Sequence, residues 1–94
     1  MNSDFFKYQA QTTPHPLAME VSHAKGSYIY DTTNKAYLDF VAGVSATPLG
    51  HNHPKVINAI KEQLDKYLHV MVYGEYIQKP AVELAKLLAR NLPY

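Results

Sequence analysis

The run Gly43-Val-Ser-Ala-Thr-Pro-Leu-Gly-His-Asn-His-Pro54 gathers the residues of this chain best suited to chemistry. It is a glycine-punctuated loop that ends in His-x-His-Pro and feeds a helix. A helix N-terminus offers free N–H groups and a partial positive charge, so the loop reads either as an anion site or as a plain surface connector. Its spacing matches neither the dinucleotide-binding glycine fingerprint nor the phosphate-binding P-loop. His51 and His53, with His69 one helix later, would bind zinc only within a set of three or four converging ligands. The chain has no cysteine and no nearby carboxylate to complete such a set, so no metal is expected. The two histidines are better placed to cap the helix or to bond backbone. No paired nucleophile marks either as catalytic. Asp31 and Asp39 could form a carboxylate pair, but Asp31 is placed to end a strand and shape a turn, and nothing in the sequence brings the two into one pocket. Tyr73-Gly-Glu-Tyr76 is an aromatic loop hinged on glycine. It reads either as the wall of a pocket for a planar or apolar substrate or as interface packing.

The elements that must position these groups follow from periodicity and turn chemistry. A short helix is predicted over Asp4 to Ala10, then an extended connector through Pro14 and Pro16. Met19, Val21 and His23 alternate with polar residues as a half-exposed strand does. Lys25-Gly-Ser27 signals a turn, Tyr28 to Asp31 a second strand, Thr32 to Lys35 a second turn, and Ala36 to Val41 a third strand. Asn34 suits the left-handed position of the second turn. Pro54 suits the first turn of a helix that runs from Lys55 to Leu68. Its apolar face is Val56, Ile57, Ile60, Leu64, Tyr67 and Leu68, and Glu62 and Lys66 are spaced as an i,i+4 pair. Pro80 opens a second helix with a broad leucine and alanine face, and Pro93 helps to end it. The expected class is α+β: a three-stranded antiparallel meander with two helices, in a single segment over residues 1–94. The face of the second helix is wider than so small a meander can cover, so further protein is expected to cover it.

Composition narrows the partners. The chain is 47% hydrophobic and 18% charged, which is globular rather than disordered. A net charge of +1 without a basic run gives no footing for nucleic acid or an anionic membrane. No apolar stretch approaches the roughly 20 residues of a membrane span. Met1 to Lys7 lacks the basic and apolar regions of a secretory leader, so the expected location is the cytoplasm.

Taken in order, several short strings resemble one family. They are Gly26-Ser-Tyr-Ile-Tyr-Asp31, Tyr37-Leu-Asp-Phe40, Gly43-Val-Ser-Ala46, Gly50-His-Asn-His-Pro54, His69-Val-Met-Val-Tyr-Gly74 and Pro80-Ala-Val-Glu-Leu-Ala85. Each is weak alone. Their ordered combination over some 65 residues resembles the N-terminal segment of the class III aminotransferases, including the acetylornithine- and diaminopelargonate-type members.

That resemblance implies a fold type I transferase dependent on pyridoxal 5'-phosphate (PLP), a homodimer with active sites at the subunit interface, acting on an amino donor and an oxo acid or aldehyde acceptor. It implies that Val44 and Ser45 touch substrate, and that Tyr73 and Gly74 lie near the active-site entrance and the dimer interface. No catalytic or cofactor-binding residue is expected in this segment. The family's phosphate cup, ring-stacking aromatic, pyridinium-bonding aspartate and Schiff-base lysine fall in later motifs, and none of the eight lysines here lies in the matching one. The large PLP-binding domain is thus expected outside these residues, and the segment by itself is expected to be inactive. Two departures stand out: Asn34 replaces a common glycine, and Val44-Ser45 lacks the aromatic pair of a diaminopelargonate enzyme. The rival reading is a stand-alone, non-catalytic interaction module working through its tyrosine-rich loops. A reading frame that continues into a PLP-lysine domain would separate the two.

Overall fold

The structure, a computed structural model, describes residues 3–93. Met1 and Asn2, the start of the terminus read above as no secretory leader, lie outside the described residues, as does Tyr94. The chain divides into two compact units, one ending at Lys61 and one beginning at Glu62, with the boundary inside a helix.

The first unit holds α1 (Ser3–Tyr8), the strands β1 (Val21–Lys25), β2 (Tyr28–Asp31) and β3 (Ala36–Leu38), and a single tight turn, α2 (Ala42–Ser45). The strands form an antiparallel meander in the order β1-β2-β3, as the turn signals require. Lys25 pairs with Tyr28 across the two-residue Gly26-Ser27 turn, and Ile29 pairs with Tyr37 in the next ladder. β1 starts and ends two residues later than its alternation predicts. β2 stops at Asp31, which pairs with Val21, so Met19 and Glu20 have no strand opposite them, and the ladder is irregular between Val21 and His23. β3 is shorter than predicted: Asp39 N–H still makes the next rung of the ladder, to Ser27 O at 2.8 Å, but its side chain turns to the backbone ahead and the pairing stops there.

α3 (Pro54–Leu64) begins at the proline and ends four residues earlier than the apolar stripe suggests. Lys66 N–H and Tyr67 N–H both fold back on Gln63 O, and Gln63 Nε2 caps Tyr67 O. Lys66 is therefore past the last turn, and the helical i,i+4 spacing expected for Glu62 and Lys66 is not available. α4 (Lys79–Asn91) takes Gln78 as its N-cap with Pro80 in the first turn. It ends where Leu92 becomes extended ahead of Pro93, the backbone that a following proline favours. No described helix is long and apolar enough to cross a membrane.

Among the described residues there is no buried core. Ile60 and Leu64 on α3, and Leu84, Leu87 and Leu88 on α4, are each about half exposed. Both helices are amphipathic, and among the described residues neither apolar face is fully buried. Contiguous apolar surface of this kind is uncommon on a soluble monomer. The 94 residues expressed alone are expected to self-associate or to pack loosely. Sedimentation at several concentrations checks this, and a compact monomer with a cooperative thermal transition would show that the chain covers its own core.

Candidate functional site

The centre of the first unit is the Asp39 carboxylate, which sits where β3 ends. Oδ1 accepts from Val41 N at 2.9 Å and from Ala42 N at 3.0 Å, and Oδ2 meets His51 Nε2 at 2.7 Å. Its side chain is only 7% exposed and that of His51 18%. The N–H of Ala42, then His51 and the N–H of Val41, hold the carboxyl below its usual range against the opposing effect of desolvation. An ionised carboxylate only accepts, so His51 carries a proton on Nε2.

His51 is itself fixed by backbone. Its N–H donates to Gly26 O at 2.8 Å, and Gly26 N–H donates to His51 O at 3.0 Å, so residue 51 is zipped onto the β1–β2 turn. Asn52 Nδ2 adds a bond to Ala24 O at 3.0 Å. Gly50 makes the approach possible: its φ is +84°, and a Cβ there would lie 3.1 Å from Gly26 O. His53 caps α3 as expected, its Nδ1 accepting from Lys55 N at 3.2 Å. His51 does not share that role: its ring is taken by Asp39.

Beyond the two N–H groups that Asp39 holds, the chain makes one left-handed turn. Ala42, Gly43, Val44 and Ser45 all have φ between +53° and +65°. Ala46 N–H bonds Ala42 O at 2.8 Å and Ser45 N–H bonds Val41 O at 3.3 Å, a helical turn of the wrong hand for L-residues. Such backbone costs roughly 1–2 kcal/mol for each residue with a Cβ, and a β-branched valine is a true outlier there. Val44 and Ser45, the residues singled out as substrate contacts, ride on this turn, and both are exposed. Gly43 of the same turn lines a concavity of ≈ 910 Å³ whose wall includes Ile29, Asp31, Tyr37, Asp39 and His51.

Asp31 thus shares a wall with Asp39, a juxtaposition the sequence does not foretell. It is nevertheless the turn-shaping residue expected. Oδ1 accepts from Thr33 Oγ1 at 2.7 Å, Thr33 N at 2.9 Å and Lys35 N at 3.0 Å, and Oδ2 from Tyr37 Oη at 2.9 Å. These bonds, that of the Thr33 hydroxyl foremost, pull its carboxyl down to about 2. Asn34, at φ 64°, takes the left-handed position predicted for it. Both aspartates are engaged in bonds that favour the ion, so neither is a proton donor near neutral pH. Among the described residues no three metal-ligating side chains converge.

Tyr73 and Gly74 belong to the second unit, in the irregular connector between α3 and α4. Tyr73 is exposed, and a Cβ at Gly74 would meet nothing within 4 Å. No contact within the chain demands glycine at position 74. The pair of expected contacts at Val44 and Ser45 and the pair at Tyr73 and Gly74 therefore fall in different units.

Sequence reasoning missed the Asp39–His51 pair, whose partners stand twelve residues apart. The available signals were an aspartate at a strand end, two and three residues before the N–H groups it takes, and a glycine next to the histidine. It also missed the left-handed turn, since only Gly43 of its four residues advertises a positive φ.

The Aminotransferase class-III family model matches residues 8–94. The acetylornithine aminotransferase of Aquifex aeolicus is 48% identical over 54 residues, which cover 57% of this chain and 14% of that protein. The solved ornithine aminotransferase of Plasmodium yoelii superposes with a TM-score of 0.81 at 30% identity, covering 97% of this chain and 23% of the other. The taurine:2-oxoglutarate aminotransferase of Bifidobacterium kashiwanohense, solved with PLP and glutamate, does so with a TM-score of 0.81 at 28% identity, covering 92% and 19%. The chain spans about a seventh of the length of the Aquifex relative.

Two outcomes are expected in the protein that carries this chain. Gly50→Ala forces both a close contact and a disfavoured φ, and should lower stability by about 1–3 kcal/mol; an unchanged denaturation midpoint would contradict the close approach to Gly26. Asp31 has a folded pKa below its unfolded one, so its contribution is full above about pH 4 and is lost as pH falls through its folded value near 2. Asp31→Asn should be less stable than wild type at neutral pH, with the gap closing across that window. Thermal unfolding of both proteins at stepped pH measures it, and equal stability at pH 7 would contradict the assignment.

Proposed function

This chain belongs to the class III aminotransferase family, and on that premise we propose that it is a rim segment of the active site in a PLP-dependent transaminase. The intact enzyme moves an amino group from an amino donor to an oxo acid or aldehyde, acts as a homodimer, and works in the cytoplasm. The 94 residues form one segment of its small domain, and the PLP-binding domain is supplied elsewhere in the protein. Ornithine and taurine, named for the relatives, carry a primary amine remote from the acid group. Donors of that shape, with 2-oxoglutarate as acceptor, are the first class to test.

The observation that carries this reading is the family match over residues 8–94, with Val44 and Ser45 held on an exposed left-handed turn at the edge of a concavity. Strained backbone that its surroundings hold in place is concentrated at functional sites. Small side chains on such a turn leave room for a substrate beside a cofactor. Tyr73 and Gly74 complete the proposed contacts, with the tyrosine ring offering an amphipathic wall at the entrance or the partner subunit's side.

The described residues do not fit PLP by themselves. No lysine lines the concavity, so no amine is offered to the cofactor's aldehyde. The nearby Val41 and Ala42 N–H groups, which could face a phosphate, are already given to Asp39. What this chain contributes is shape: it positions the substrate side of the site and excludes bulk from it.

In the intact enzyme, amino transfer from short and long donors to 2-oxoglutarate is read as glutamate formed. Val44→Trp should cut kcat/KM for long donors about tenfold or more while PLP stays bound. A purely ground-state clash moves KM, whereas a misplaced reacting carbon also lowers kcat. Unchanged kinetics with short and long donors would mean that this turn lies outside the pocket.

A further inference from the structure

We propose that Asp39 and His51 are positioning residues of the amino-transfer site: together they hold the left-handed turn Ala42–Ser45, and so set where Val44 and Ser45 stand against substrate. This assignment rests on the reading of Val44 and Ser45 as substrate contacts.

Four observations carry it. The turn's own bonds close a conformation that its residues resist, because Ala42, Val44 and Ser45 each sit at a φ that a residue with a Cβ disfavours. Its entry is fixed from outside by one carboxylate oxygen, which accepts the N–H of Val41 and of Ala42 and so takes up the donors at which the backbone changes hand. The other oxygen is fixed by His51 Nε2 at 2.7 Å. His51 in turn is locked by two backbone bonds to Gly26, on the far side of the hairpin. A chain of hydrogen bonds thus runs from the β1–β2 turn through His51 and Asp39 to the turn that presents Val44 and Ser45. The links are two N–H groups, a carboxylate and an imidazole whose main chain is fixed on the hairpin, each side chain oriented by its bond to the next.

Neither residue need touch substrate. Removing the Asp39 carboxylate frees the Val41 and Ala42 N–H groups, and the turn can relax to the right-handed region that alanine, valine and serine prefer. Val44 and Ser45 then leave their places by ångströms, and displacement on that scale costs catalysis. The chemistry also predicts rescue. An asparagine side chain keeps an oxygen that can accept both N–H groups, and its amide can donate to His51 Nε2 once the imidazole proton moves to Nδ1, so Asp39→Asn should retain the turn. Glycine takes φ near +53° without penalty, so Ala42→Gly should restore part of what Asp39→Ala loses.

The test uses the intact enzyme loaded with PLP. Asp39→Ala should lower kcat/KM for remote-amine donors about 10- to 100-fold, mostly in kcat, with cofactor content near wild type and a lowered thermal midpoint that Asp39→Asn largely restores. Asp39→Asn should lie within a few-fold of wild type, and Asp39→Ala/Ala42→Gly should recover part of the loss. A crystal structure of Asp39→Ala should show Val44 with a negative φ. Should that variant not fold, His51→Ala carries the same comparison, with a smaller fall because the two bonds to Oδ1 remain. The proposal is overturned by an Asp39→Ala enzyme within twofold of wild type, by one whose loss tracks cofactor content, or by a variant structure that keeps φ near +60° through the turn. A wild-type enzyme that transfers no amino group from any donor sinks the functional reading and this assignment with it. An active wild type impaired by Val44→Trp but indifferent to Asp39→Ala sinks the assignment alone.

Discussion

One carboxylate organises the first half of this chain. Asp39 closes β3, turns the backbone by taking two successive N–H groups, and grips the histidine that returns from the following loop. Remove it in thought and two features lose their support: the left-handed turn and the placing of the His51 ring. Its pKa is lowered by the very bonds that do this, so the ion is present throughout the range in which an enzyme works. Asp31 does a comparable job one hairpin earlier, where four hydrogen bonds from Thr33, Lys35 and Tyr37 define the β2–β3 turn. The two aspartates that look like candidates for acid–base work are thus committed to architecture.

The apolar residues tell a complementary story. Hydrophobic stabilisation scales with area removed from water, and this chain removes little of it on its own. α3 and α4 carry amphipathic patterns whose apolar sides remain half exposed. Local hydrogen bonding shapes the meander and its turns in detail, while burial, the larger force in most domains, contributes little among the described residues.

The function follows the same division. Transaminase chemistry needs an amine to hold the cofactor and donors to hold its phosphate, and the concavity described here offers neither. It offers a turn with small, exposed side chains, placed by a rigid hydrogen-bonded frame. On the proposed reading, a specificity surface can be built this way because a strained turn held at one end presents the same backbone each time.

Strand pairing, both main helices and the cap at His53 were legible in the residues, because alternation, proline placement and turn chemistry act over a few neighbours. The family was legible too, since its short strings keep their order along the chain. What the sequence could not carry were the facts that depend on atoms meeting from far apart. Met19 lost its place in β1 only because β2 stops at Asp31. The Asp39–His51 bond joins residues twelve apart, and no local propensity speaks for it. Above all, Ala-Gly-Val-Ser reads as an ordinary loop, since three of its four residues disfavour positive φ; the N–H groups that Asp39 takes lie close along the chain, but the His51 ring that aims its carboxylate comes from twelve residues away.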